Sequence, residues 1–194
     1  GTQMIAKGLD FPNVTLVGVI NADTALHLPD FRAEERTFQL LTQVAGRTGR
    51  GPRGGHVLVQ TLQPEHPVIR AAVAHDYEAF ATHELPTRKL LGYPPYCAMI
   101  RLVVRSTDPD DGLALAGRLT DQVQEAAEAQ RVALRVVGPA PAPFAKLRGK
   151  HRFALALLGR EPEGLRCVVR HATQRLKAPG DAQWIVDVDP LDML

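Results

Sequence analysis

Between residues 97 and 188 the chain alternates extended and amphipathic runs in an order that few folds accommodate. The segments 97–105, 111–130, 132–138, 152–158, 164–177 and 183–188 give strand, helix, strand, strand, helix, strand, the split βαβ or ferredoxin-like order of a small α+β domain. Leu113, Leu115, Ala116, Leu119, Val123, Ala126 and Ala127 recur at helical spacing after an acidic start at 108–111, which marks the first helix. Cys167, Val168 and Leu176 carry the apolar face of the second. On the last strand Trp184 and Val186 are expected in the core, with Asp187 and Asp189 on the alternate face.

One loop of this region is basic. In Pro143 to Phe153 the cations Lys146, Arg148, Lys150 and Arg152 alternate with other residues, so an extended run would project all four from one side. Residues 144–177 carry nine basic and two acidic side chains, whereas 178–194 carry four aspartates and no basic residue. The local excess fits a phosphate-facing surface, and solvated helices also produce such runs. Phe144 and Phe153 are expected in the core, the usual place of phenylalanine, with stacking on unpaired bases as the alternative.

Upstream the pattern changes. Val14 to Ile20 is a continuous apolar, β-branched run of the kind buried on both faces of a parallel sheet, and 55–61 is a second strand. A helix opening near Asp30 places Phe31, Phe38, Leu41 and Ala45 on one side and stops at Gly46. Two strands and one helix cannot bury such a sheet, so 1–62 is expected to be the C-terminal part of an α/β lobe. Residues 63–95 make a helical connector, with Pro86 in the first turn of a helix and Pro94-Pro95 at the boundary to a domain at 96–194.

Gln43 to Arg50 holds two arginines, Arg47 and Arg50, between glycines. Guanidinium groups stay charged and bind phosphate oxygens in pairs, which suits a polyphosphate; a basic helix end that stops at glycine is the plainer reading. Gly1 to Pro12 begins in mid-motif, so nothing marks a natural N-terminus. Its Thr2, Lys7, Gly8 and Asp10 offer donors for phosphate and a carboxylate for a ribose hydroxyl.

These two stretches resemble motifs V and VI of the second RecA-like lobe of superfamily 2 helicases. The wording at 1–4, 6–8, 30–36 and 43–50 is similar to the bacterial primosomal replication-restart helicase family, also called primosomal protein N′. The likeness continues through Pro64 to Pro67, Pro94-Pro95, Gly138-Pro139, the loop 146–152 and Val186 to Pro190. The resemblance implies part of a RecA-like lobe followed by a domain like a ribosomal RNA-binding protein that binds branched DNA. It implies a parent that couples hydrolysis of ATP with Mg to 3′→5′ movement on single-stranded DNA and restarts stalled forks in the bacterial cytoplasm, at the nucleoid. Its partners would be branched and single-stranded DNA, single-strand-binding protein and helicase-loading primosome proteins. Arg47 and Arg50 would reach the γ-phosphate with Gln43 fixing their geometry. Gly8 and Asp10 would serve the nucleotide, and Thr2 and Gln3 the DNA backbone.

The sequence contains no Gly-x-x-x-x-Gly-Lys-[Ser/Thr] loop and no acidic metal-holding motif, so these 194 residues alone are not expected to hydrolyse ATP. The family's zinc belongs to a cysteine-rich insertion ahead of motif V. Here Cys97 and Cys167 stand far apart, which supports no metal and fits small buried hydrophobes in a reducing compartment. A fork-binding, partner-recruiting protein without a working ATPase remains the alternative function. An RNA-binding module on a helicase lobe is more distant.

Overall fold

The computed structural model describes residues 14–46, 54–174 and 176–193. Two compact units divide at Thr87/Arg88.

In the first unit β1 (Leu16–Val19) pairs in parallel with β2 (His56–Val59), Leu16 facing His56 in register. Between them lie the single turn α1 (Asp23–Leu26) and the helix α2 (Ala33–Ala45). Asp30 accepts from the Arg32 backbone N–H at 2.9 Å, so the expected capping residue closes the preceding turn and the helix starts three residues later. Gly46 ends it, its N–H bonding the Thr42 carbonyl. Then follow α3 (Pro67–Ala74), with His66 as N-cap accepting from Val68, and α4 (Tyr77–Leu91).

Three expectations change here. Val68, Ile69, Ala71, Ala72 and Phe80 form one core with Ala22, Leu26, Phe38 and Leu41, Phe38 stacking on Phe80 at 4.5 Å. Residues 63–87 therefore belong to the first unit, and the division falls inside α4 because the connector's apolar face is consumed by that core. Pro86 lies within α4; the break between the two helices is at His75, in the left-handed region with φ 54°. The β-strands are also less covered than their apolar run implies. Leu16, Leu58 and Ile20 are 59%, 63% and 81% exposed, since among the described residues helices pack on only one side of this pair.

The second unit has the order β3 (Ala98–Ser106), α5 (Pro109–Gln130), β4 (Leu134–Leu147), β5 (Lys150–Gly159), α6 (Pro162–Gln174) and β6 (Gln183–Val188). The sheet runs β4-β5-β3-β6 with every pair antiparallel, the arrangement of a split βαβ fold. Asp108 caps α5 by accepting from the Asp110 and Asp111 N–H groups, and Pro109 occupies the first turn where its missing donor costs nothing. Both helices cover one face. Ile100, Leu102, Val104, Phe153, Leu155 and Leu157 meet Leu115, Leu119, Val123, Leu165 and Val168 there, all within one core.

Alternation along the strands sends the other residues to the opposite face. Trp184 packs against the core as expected, but Val186 is 40% exposed because β6 is an edge strand with one neighbour. Cys167 is exposed on α6 and Cys97 half-buried, so neither is the enclosed hydrophobe expected; Leu165, Val168, Val169 and Ala172 fill that helix face. Among the described residues no helix is long and apolar enough to cross a membrane.

Candidate nucleic-acid interface

The basic run is not one extended segment. Arg148 and Gly149, with φ of 50° and 81°, form a two-residue turn between β4 and β5, so that Leu147 pairs with Lys150 and Lys146 with His151. Because side chains alternate across the sheet, folding the run back separates the four cations. Arg148, Lys150 and Arg152 line a groove on the face away from the helices, whereas Lys146 lies outside its lining.

That groove, about 630 Å³, gathers residues from distant parts of the chain. β3 contributes Arg101, Val103 and Arg105, and β6 contributes Ile185 and Asp187. Five cations stand against the carboxylates of Asp187 and Asp192 in this lining. Arg101 and Arg105 were not recognised in the sequence because they sit in an apolar strand and only the β3 register brings them beside the hairpin. Period-2 alternation in Met99 to Arg105 was the available signal.

The cations differ in their commitments. Arg101 is 3% exposed and donates through Nη1 to the Asp192 carbonyl at 2.6 Å, which fixes the segment after β6 across one end of the groove. Arg105 is exposed and donates through Nε to Gln183 at 3.1 Å. Lys150 binds Asp181 at 2.9 Å, and Asp181 also accepts from Ser106 Oγ, Thr107 N and Thr107 Oγ1. The Lys150 bond, followed by those of Thr107, holds the Asp181 carboxyl well below the usual carboxylate range. Lys150 is thereby an anchor as well as a surface charge.

Phe153 is buried in the core as expected, but Phe144 is 52% exposed. It stands on an irregular stretch of β4 between the pairs Pro141–Phe153 and Lys146–His151, which turns it out of the sheet. Gln43 is exposed near the end of α2. The assignments to Thr2, Gln3, Gly8, Asp10, Arg47 and Arg50 lie outside the described residues. Among the described residues no group of three or more His, Cys, Asp or Glu is placed to hold a metal ion.

The second unit is thus an α+β module with an apolar, helix-covered face and a cationic one on which no described helix packs. The chain belongs to the Primosomal protein N C-terminal domain family, which matches residues 89–191. Over its whole length it is similar to proteins named Replication restart protein PriA. Identity is 38% with that of Bacillus subtilis, 41% with that of Haemophilus influenzae and 40% with that of Treponema pallidum, covering 24%, 26% and 29% of those proteins. The chain spans about a quarter of the length of these curated relatives.

Proposed function

We propose that this chain is part of a replication-restart helicase and that its second unit engages branched and single-stranded DNA through the cationic sheet face. The observation that carries the DNA reading is the convergence of five cations from β3, the turn and β5 on one groove. Clustered like charges repel one another, and a polyanion that neutralises them also releases its own counterions. Similarity along the whole of this chain to about a quarter of the replication restart proteins supports the wider role.

On this reading 1–62 belongs to a RecA-like lobe of an ATP-dependent 3′→5′ DNA helicase. Arg47 and Arg50 act on the γ-phosphate with Gln43 positioning them, Gly8 and Asp10 serve the nucleotide, and Thr2 and Gln3 touch the DNA backbone. ATP and Mg would be held jointly with a first lobe, and zinc in a separate cysteine-rich region. Single-strand-binding protein and helicase-loading primosome proteins are the protein partners, in the bacterial cytoplasm.

The test is titration of the 194-residue chain against a labelled three-way fork across a salt series, beside an Arg105→Ala/Arg148→Ala/Arg152→Ala variant. Binding that weakens steeply with salt in the parent and is lost in the folded variant supports the reading. Fork binding unaffected by the triple change would remove this face from the DNA interface.

A further inference from the structure

The hairpin that carries the basic turn is built asymmetrically. Pro141 pairs with Phe153 and Lys146 with His151, so residues 142–145 of β4 stand opposite Arg152 alone. Extra residues on one strand bend it and re-aim its side chains. Ala142 turns inward and is 4% exposed, whereas Phe144 turns outward. Arg152 Nη1 lies 3.5 Å from the Phe144 carbonyl and ties the bulge to the opposite strand. Phe144 belongs to neither apolar core of the described residues.

Phe144 is half-exposed outside both cores, and its surroundings favour one kind of partner. Lys146, Arg148 and Lys150 follow it around the turn, which suits a polyanion and disfavours an apolar protein surface. Pro139, Pro141 and Pro143 lack N–H donors along this edge strand, which makes it a poor template for an added β-strand.

We infer that Phe144 is a base-stacking platform that makes the hairpin selective for unpaired DNA over duplex. Phosphates are offered by both forms, so the cations alone cannot distinguish them. Base faces are covered by their neighbours in a duplex and open in a single strand, and a flat apolar ring responds to that difference. Cations set the affinity and Phe144 reads the strand state. The inference rests on the DNA reading above and adds the choice of strand.

The 194-residue chain is titrated against a fluorescent single-stranded oligonucleotide and a duplex of equal length, as parent, Phe144→Ala, Phe144→Trp and Lys146→Ala/Arg148→Ala. Circular dichroism confirms that each folds. Phe144→Ala weakens single-strand binding roughly 5- to 150-fold and leaves duplex binding within about twofold. Phe144→Trp restores single-strand binding, and its emission, read against that of Trp184, is quenched by the single strand alone. The inference is overturned if Phe144→Ala changes both substrates equally or neither. If the double-cation variant then still loses affinity for both, the DNA reading stands and only the stacking role fails; if no variant changes binding, both fail.

Discussion

Arg105 of β3 and Arg152 of β5 stand directly opposite one another in the antiparallel ladder. Like charges at such positions destabilise a sheet, typically by about 0.2–1 kcal/mol, so the pair is kept at a cost to the free protein. Arg105→Gln is expected to leave the unit as stable as the parent, or more stable by up to about 1 kcal/mol at low salt, with the difference vanishing at high salt. The same change lowers DNA affinity and reduces the salt slope by about one. Denaturant melts and binding titrations over one salt series check both; a large loss of stability would make Arg105 a structural residue.

The Lys150–Asp181 bond gives the hairpin base a pH dependence whose sign is fixed. The folded-state pKa of Asp181 lies below its ordinary value, so its contribution is fully present above the unfolded carboxylate pKa of about 4 and is lost as pH falls through the lower folded value. Asp181→Asn is therefore expected to melt at a lower temperature than the parent at neutral pH. The gap should close progressively as pH is lowered below about 4. A gap independent of pH would show that shape rather than charge is lost at this position.

On the proposed reading the arginines after α2 belong to ATP chemistry and the second unit to DNA. Arg50→Ala in a full-length relative carrying this sequence should lower ATP turnover about 100-fold or more and leave DNA affinity nearly unchanged. Steady-state ATPase rates beside fork titrations check the separation. Equal loss of both would assign Arg50 to folding.

The second unit was legible because its elements are regular: apolar residues at helical spacing fix α5, and extended apolar runs mark β3 and β5. Phe144 was misjudged because phenylalanine alone predicts burial, while the bulge opposite Arg152 that exposes it depends on strand register. Register also hid Arg101 and Arg105, whose proximity to the hairpin is a contact between separate strands. The basic run was visible as composition, but its division between two faces was set by the turn at Arg148 and Gly149. Residues 63–95 were read as a connector because the helix face within them is apolar without showing what Phe38 and Leu41 place against it.

The two cysteines offer a readout of burial. Burial raises the Cys97 thiol pKa, with Arg135 opposing it more weakly, and Cys97 Sγ lies 3.0 Å from the Gly92 carbonyl, which it can donate to. Cys167 is exposed on α6. A thiol reagent at neutral pH is expected to modify Cys167 first and Cys97 at least about tenfold more slowly, since burial limits both the access and the thiolate fraction of Cys97. Mass spectrometry of the time course identifies the order, and equal rates would mean that the start of β3 opens readily.

Glycines in the second unit separate backbone need from mere tolerance. Gly138 has φ 104°, and a Cβ there would stand 2.7 Å from the Ala154 carbonyl oxygen, so the bulge that begins β4's departure from the ladder needs glycine on two counts. Gly138→Ala is expected to cost about 1–3 kcal/mol from the backbone conformation, with the backbone clash adding to it. Gly117, inside α5, has nothing within 4 Å of its Cβ position. Gly117→Ala should stabilise by about 0.5–1 kcal/mol, because alanine loses less backbone freedom on entering a helix. Gly112 lies between these cases: its Cβ would meet the Phe153 ring at 2.9 Å, so the gain in helix propensity is opposed by displacement of a buried aromatic, an overpacking cost of about 1–3 kcal/mol. Denaturant melts should therefore rank Gly117→Ala above the parent, Gly112→Ala at or below it, and Gly138→Ala lowest.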